Sequence, residues 1–464
     1  MHLRVTPPLD PGFAPLSVAW RAFHDAREKT AQARTTLAVE RSRGQISTFD
    51  MLMYPDGTGH DRENYAMAER VAKTLLWARG GFKIIVAGSR AVYEGLKDAY
   101  REGGARAFDA AFMARVYEHP FEVAYAGGVE NAPTAREDAS PIGRHLDGCR
   151  IGFDAGGSDR KVSAVIDGHA VYSEEVVWHP KVQTDPEYHY RGILEAMKTA
   201  ASHMPRVDAI GVSSAGIYID NRIMAASLFL KVSDEDFERR VKNMYIDAAR
   251  QFGDVPLEVA NDGDVTALAG AMELNDGNVM GIAMGTSEAG GFVDGAGNIT
   301  GWLNELAFVP VDANPDAMRD EWSGDTGCGV KYFSQDGVIK LAPAAGIALD
   351  ESLSPGEKLK VVQAHMAQGH EGARKIYASI GVYLGYALPW YALFYDIRHL
   401  LLMGRVTSGQ GGQIVVDNAR HVLQTEFPEL AERLTIHLPD ENSRRVGQSV
   451  AAASLPASRR ESQR

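Results

Sequence analysis

Four short segments of this sequence carry residue types that could act on a phosphorylated ligand. The first is GFDAGGSDRK, Gly152–Lys161. It sets Asp154 at the end of a strand, before a turn holding Gly156, Gly157 and Ser158. Glycines let backbone N–H groups approach phosphate closely. A carboxylate repels phosphate, so Asp154 is expected to hold Mg²⁺ through its waters. An ordinary Asp-Gly hairpin fits the same residues. The second segment is MGTSEAGG, Met284–Gly291, between two strand-like runs. Gly285, Thr286 and Ser287 could offer hydroxyls and amides to phosphate oxygens, or form a plain Gly-rich hairpin turn. The third is LLLMGRVTSGQGG, Leu400–Gly412, where a strand ends in Gly404 before a helix. That suits a flat base lying on backbone at a helix N-terminus, and equally a simple strand–loop–helix connection. The fourth is VANDGD, Val259–Asp264. Asp262 could take the proton of a hydroxyl nucleophile while Asn261 hydrogen-bonds the substrate. The competing reading is an Asn-Asp-Gly turn in which Asp262 caps the next helix.

The bulk properties limit the alternatives. The chain has 464 residues, which suggests two or three structural units. Its formal net charge of −13 argues against broad nucleic-acid binding, which needs a basic surface. Two cysteines, Cys149 and Cys328, do not make a disulfide framework and suggest a reducing cytosol. The N-terminal residues lack the apolar core of a signal peptide. The uncharged run Ile376–Tyr395 is long enough to span a bilayer, but its four Tyr, a Trp and Pro389 read better as a buried core helix.

The elements that must position these residues alternate. Helical periodicity covers Val18–Thr36, Asp61–Gly80 (with Asp61 as N-cap) and Ser89–Glu102; strands fit Ile46–Pro55 and Phe82–Ser89. Ser89 reads as a helix cap in preference to an anion site, because no Gly-Lys-Ser/Thr ending follows. The polar stretch Gly127–His145 marks a boundary. Beyond it come a strand into Asp154, a hairpin around Asp167-Gly168, a helix at Tyr190–His203 and a buried strand at Val207–Gly216. A long helix at Asp234–Phe252, a strand at Pro256–Asp264 and a helix at Val265–Leu274 follow. His365 and His370 read as solvated helix-face residues, and the terminal SRRESQR as a frayed tail.

The order of these motifs resembles that of the ROK family, which groups bacterial repressors, open-reading-frame proteins and sugar kinases. GFDAGGS is similar to its first phosphate motif, and GVSSAGIYIDNRI to the loop after its third strand. EVANDGDVTALAG is similar to its catalytic segment. GIAMGTSEAGGFVDGAGNITGWLNELAFVPVD resembles the second phosphate motif and the sugar-contacting segment, and HLLLMGRVTSG the adenosine-side motif. The resemblance spans roughly residues 150–455, about two-thirds of the chain. It implies an α/β, two-lobed actin/hexokinase-like (ribonuclease H-like) ATPase fold with an N-terminal α/β extension. The expected division is an extension at 1–148, a first lobe at 149–264 with a closing helix at 442–458, and a second lobe at 265–441. The resemblance further implies Asp262 as general base, and Asn261, Glu305 and Gly216 on the sugar. Asp154, Gly156, Gly157, Ser158, Gly285, Thr286, Ser287 and Gly404 would then line the Mg-ATP side. It suggests a homodimer acting on a small sugar, while the cysteine count points to the cytoplasm, the acidic charge to no nucleic-acid partner and the make-up of Ile376–Tyr395 to no membrane partner.

Three departures from the family stand out. Phe308 occupies the position of a His that touches sugar and ligates zinc, in Asn304-Glu305-Leu306-Ala307-Phe308. The zinc loop, Gly324–Ser334, keeps only Cys328, so no structural zinc is expected; packing of Trp322, Tyr332 and Phe333 is expected to hold the loop. Glu288 puts a carboxylate in the phosphate hairpin, which should weaken ATP binding unless it faces solvent or a cation. The extension shows no basic recognition helix. These readings converge on an ATP-dependent kinase of a hexose or hexose derivative. The alternatives are a non-catalytic sugar sensor, or an ATPase that activates a partner.

Overall fold

The computed structural model describes residues 3–27, 32–137, 142–439 and 441–457. The terminal SRRESQR lies outside the described residues, as does the last residue of the expected closing helix. Contacts divide the chain into two units. One holds residues 1–138, 282–290 and 302–438; the other holds 139–281, 291–301 and 439–464.

In the first unit the chain forms α1 (Leu16–Arg27), β1 (Ala33–Arg41), β2 (Gln45–Met53), α2 (Asp61–Arg79), β3 (Lys83–Ala87), α3 (Arg90–Tyr100), α4 (Ala107–Tyr117) and β4 (Glu122–Gly127). The sheet order is β2-β1-β3-β4, with β1 antiparallel to both neighbours and β3 parallel to β4. The single helix expected over Val18–Thr36 is corrected here: α1 stops at Arg27, and Ala33 starts a strand. Thr35 and Thr36 are β-branched, and with Leu37, Ala38 and Val39 they form a buried run at the centre of the sheet. Asp61 is not the N-cap of α2 either. His60 occupies that position, and Asp61 is the first helical residue, its Oδ1 accepting from the Gly57 N–H at 2.9 Å. Ser89 does cap α3, its hydroxyl accepting from the Val92 N–H at 3.1 Å. Asp56 accepts from the N–H groups of Arg90 and Ala91, so a carboxylate of this chain already occupies that helix end.

In the second unit β5 (Cys149–Ala155), β6 (Asp159–Ile166) and β7 (His169–Val177) form an antiparallel meander. Its second turn is Asp167-Gly168, with φ of 48° and 81°, the geometry of a two-residue hairpin. Then follow α5 (Pro186–Ser202), β8 (Ala209–Ser214), a small hairpin β9 (Ile217–Ile219) and β10 (Arg222–Ala225), α6 (Asp234–Asp236), α7 (Met244–Ala249), β11 (Leu257–Asn261) and α8 (Asp262–Leu274). The sheet order is β11-β8-β5-β6-β7, with β11, β8 and β5 parallel. The helix expected across Asp234–Phe252 is interrupted, since a π-helical turn at Phe237–Val241 separates α6 from α7. The strand expected at Pro256–Asp264 ends at Asn261, because Asp262 and Gly263 already belong to α8. Phe153, Ile193, Met197, Val212 and Tyr245 are core residues of this unit.

The chain then runs through β12 (Val279–Met284), β13 (Glu288–Val293), α9 (Gln335–Leu341), α10 (Pro355–Ala367), α11 (Glu371–Tyr391), β14 (His399–Met403), α12 (Gln410–Glu426), α13 (Pro428–Arg433), β15 (Thr435–His437) and α14 (Glu441–Ala453). Strand order in this sheet is β13-β12-β14-β15. Helix α11 takes in most of the uncharged run flagged in the sequence, which continues to Tyr395 past the helix end at Tyr391. Most of its residues are buried, and among the described residues no helix is long and apolar enough to cross a membrane. His370 caps α11, accepting from the Ala373 N–H.

Two glycines explain how α14 seats on the five-stranded sheet. A Cβ at Gly152 would lie 1.9 Å from the Ser449 carbonyl oxygen, and one at Gly211 would lie 1.7 Å from that of Ala452. Only a missing side chain allows helix backbone this near strand backbone. Gly211→Ala should therefore lower stability by about 1–3 kcal/mol, the usual cost of overpacking. Thermal unfolding measures this; an unchanged Tm would mean that the close approach does not exist.

Candidate functional site

In the second unit the parallel strands β5, β8 and β11 end at one edge of the sheet, where α/β proteins gather ligand-binding residues. Register places Asp154 beside Ser213, and Ser213 beside Ala260. The Ser213 hydroxyl donates to Asp154 Oδ1 at 2.8 Å, and Lys161 Nζ lies 3.9 Å from Oδ2. Burial pushes the Asp154 carboxyl up to about 6, against the lowering by Ser213 and Lys161 and with the Asp262 charge adding to the rise. Asp262, half-buried at the first turn of α8, is also raised. Burial is the main cause, opposed by the Gly263 N–H and by Lys181. The two carboxylates are thus electrostatic neighbours.

The helix cap beside Asp262 belongs to Asn261. Its Oδ1 accepts from the Gly263 N–H at 2.8 Å, and its Nδ2 donates to the Gly216 carbonyl at 2.7 Å. Asn261 thereby ties β11 to the loop after β8, and it shares the Gly263 N–H with Asp262, whose Oδ1 accepts from it at 3.0 Å. Gly216 has φ of 144°, and a Cβ there would lie 2.5 Å from the Ala225 carbonyl oxygen. In the β5–β6 turn, neither Gly156 nor Gly157 needs a positive φ. A Cβ at Gly156 would meet the Asp159 carbonyl oxygen at 2.7 Å, and one at Gly157 would meet Lys181 Cε at 2.7 Å. Ser158 is exposed. Sequence reasoning missed Lys181, an exposed cation over this turn that also acts on Asp262. Its one signal was a Lys in a Pro-bounded loop, which is too common to single out.

In the first unit Thr286 and Ser287 are exposed at the β12–β13 turn. The Gly285 N–H donates to the Ser287 carbonyl at 3.0 Å. Arg405 Nη2 donates to Thr286 Oγ1 at 2.6 Å, a second cation that sequence reasoning passed over although it follows Gly404 directly. Gly404 has φ of 99°, and a Cβ there would strike the Met284 carbonyl oxygen at 2.3 Å. Glu305 is half-buried, and Asn304 before it adopts a left-handed φ of 53°.

Glu288 does not stand as expected. It is buried, pointing at Gly329, whose hypothetical Cβ would lie 2.3 Å from its Oε2. The Tyr391 hydroxyl faces it, yet among the described residues neither carboxyl oxygen completes a hydrogen bond of ordinary geometry. Burial first, and the Glu305 charge second, raise it well above the usual carboxylate range. Glu288 is therefore an interior carboxyl whose charged form burial disfavours, not one displayed on the exposed turn with Thr286 and Ser287. Nearly the whole of β13 is buried, so the Glu288 side chain enters the interior although it adjoins the exposed turn.

The loop that would hold zinc does not fit it. Cys328 is buried, and burial pushes its thiol up to about 12, so it is a thiol rather than a ligand-ready thiolate. Among the described residues no group of three His, Cys, Asp or Glu could hold a metal. Tyr332 and Phe333 are fully buried as expected, but Trp322 is 64% exposed and contributes no such packing. Phe308 stacks on Trp77 with ring centroids 4.3 Å apart.

No family model matches this sequence, and no curated protein matches it. Solved structures do. The ROK hexokinase from Thermus thermophilus is 17% identical, with a TM-score of 0.51 over 66% of this chain and 96% of that one. A ROK family transcriptional regulator, a homologue of the E. coli MLC protein, is 16% identical, with a TM-score of 0.53 over 67% of this chain and 79% of that one. The fold is that of the ROK proteins.

Asp154 gives a direct test of the site's electrostatics. Its folded pKa lies above the unfolded value, so the native state holds a proton that the unfolded state has released between about pH 4 and pH 6. The ligand-free protein should lose stability from this group as pH rises through that window. Asp154→Asn should match wild type near pH 4 and exceed it at pH 7 by up to about 3 kcal/mol. A Tm difference between the two that does not change with pH would refute the burial.

Proposed function

We propose that this chain is a divergent ROK-family kinase that transfers the γ-phosphoryl group of ATP to a hydroxyl of a hexose or hexose derivative. The observation that carries the reading is the pair Asp154 and Asp262, two carboxyls raised by burial, one in β5 and one directly after β11, the parallel strands on either side of β8. A base with a raised pKa takes a hydroxyl proton more readily than an ordinary carboxylate. Asp262 has that property, and of its two carboxyl oxygens Oδ1 accepts from the Gly263 N–H. Asp154, buried with one oxygen on Ser213, fits the single carboxylate through which a protein often holds Mg²⁺ and its waters. Bound Mg²⁺ would neutralise phosphate charge. In this reading Gly156, Gly157, Ser158, Gly285, Thr286, Ser287 and Gly404 contact the nucleotide, with Lys181 and Arg405 added as cations for phosphate oxygens. Asn261, Glu305 and Gly216 orient the sugar. Phosphoryl transfer needs positioning and charge neutralisation more than covalent catalysis, and this is what such a residue set supplies.

A second reading, a sugar-binding regulator without turnover, draws on Phe308 and on the regulator that shares the fold. An ATP-consumption screen across hexoses, amino sugars and their acetylated forms separates the two. The kinase reading expects turnover with at least one sugar. It expects Asp262→Asn to lower kcat by about 10²–10⁴-fold, the usual scale of general-base loss, with nucleotide binding unchanged. Sugar binding without turnover in the wild-type protein would favour the regulator, and wild-type turnover in Asp262→Asn would remove Asp262 from the base role.

A further inference from the structure

We propose that the N-terminal extension is a built-in positioning device for the Glu305 segment, holding it by a helix end, an aromatic stack and a buried ion cluster instead of a bound metal. The proposal takes the ligand of that segment from the kinase reading, but its geometry stands apart from that reading.

The first hold is through backbone. The N–H groups of Leu303, Asn304 and Glu305 donate to the carbonyls of Arg79, Ala78 and Trp77 at 3.2, 3.0 and 3.1 Å. Those carbonyls belong to the last residues of α2, which have no partner within their own helix. Three successive bonds fix the path of the chain into Glu305. The Tyr395 hydroxyl adds a fourth contact, to Asn304 Oδ1 at 3.0 Å.

The second hold is aromatic. Arg79 lies 3.4 Å from the centroid of Trp302, just before the segment. Phe308, just after it, stacks on Trp77 and lies 6.2 Å from Phe108 of α4. The residue that stands where the family has a sugar-touching, metal-binding His is therefore a docking point for the extension.

The third hold reaches the neighbouring loop. Asp325 Oδ2 lies 3.0 Å from Arg70 Nη1 and 3.2 Å from Lys73 Nζ, and its Oδ1 lies 2.8 Å from Arg106 Nη1. Lys73 also meets Asp109 at 3.1 Å, and Glu69 bonds both Arg70 and Arg106. Three cations and two carboxylates of the extension thus enclose one carboxylate of the loop, and the Lys73 side chain is wholly buried. Against the upward push of burial, Arg70, Lys73 and Arg106 hold Asp325 well below the usual range, so it is ionised inside the protein. Gly329, four residues on, donates to the Val309 carbonyl at 2.9 Å, which links the loop to the end of the Glu305 segment. A buried charge set of this kind is strongly disrupted when one member is removed.

The experiment uses the full chain with Asp325→Asn and, separately, Phe308→Ala, each checked for folding by its thermal transition. Amides of residues 302–309 should exchange at least about tenfold faster than in wild type, equivalent to about 1.4 kcal/mol of local opening, while β5 stays unchanged. In the kinase assay the KM for sugar should rise about tenfold, with the KM for ATP within about twofold. Metal analysis of wild type should find well under one zinc per chain. Unchanged protection of 302–309 in either folded variant, or a full equivalent of zinc, would overturn the proposal. If Asp325→Asn does not fold, Phe308→Ala decides. If no sugar is phosphorylated at all, the kinase reading fails, while hydrogen exchange still judges this one.

Discussion

A helix leaves its last carbonyls without partners, and how they are satisfied decides what the helix is attached to. At the end of α2 the partners are the N–H groups of Leu303, Asn304 and Glu305. Much of the first unit follows from that junction. Asn304 takes a left-handed φ there, as Asn tolerates better than most residues. The chain then turns so that Leu306 and Ala307 are buried and Phe308 meets Trp77. Upstream on the same helix, Arg70 and Lys73 reach the loop that follows. One 19-residue helix thus organises a segment more than 220 positions away. Residues 4–21 add to this union, since Arg21 pairs with Glu426 at 2.9 Å and the Leu9 N–H donates to the Ser379 hydroxyl.

Several elements between Cys149 and Leu274 were legible because their signals are local. An Asp-Gly pair sets the β6–β7 turn, and a buried apolar run gives β8. Period-3.6 patterning gives α5. The strand β1 was not legible. Its residues follow α1 with a helix-compatible pattern, and only pairing with β2 and β3 makes them a strand. The same holds for the break between α6 and α7, which no Gly or Pro announces.

Among the chemistry-bearing residues, the sequence could mark Asp154, Asn261 and Asp262 because each sits where a strand ends. It could not tell which of Asn261 and Asp262 caps α8, since both side chains can do so. Asn261 holds the N-cap position, and both side chains accept from the Gly263 N–H. Nor could it locate Lys181 and Arg405, whose relevance comes from what lies opposite them: the turn at Gly157 and the hydroxyl of Thr286. Glu288 was conspicuous in the sequence for the right reason and misread in direction. A carboxyl in a phosphate-type hairpin is unusual, but whether it meets phosphate depends on whether its side chain enters the interior.

Asp325 differs from Asp154 and Asp262 in how its burial is compensated. Asp325 has its counter-charges within the protein, so burial costs are met by Arg70, Lys73 and Arg106, and it stays ionised. Asp154 and Asp262 are not compensated to the same degree. Each has one cation acting on it, Lys161 and Lys181 respectively, and each remains raised. A carboxyl held in that condition lowers native stability when it ionises. A ligand that brings a cation to Asp154, or a proton to Asp262, relieves the penalty, and that relief adds to its binding or to the reaction. Structural ion pairs need no such partner. The contrast between these carboxyls is therefore one of compensation, and a raised carboxyl does not by itself mark a site, because Asp109 in the same ion cluster and Asp312 are raised by burial as well.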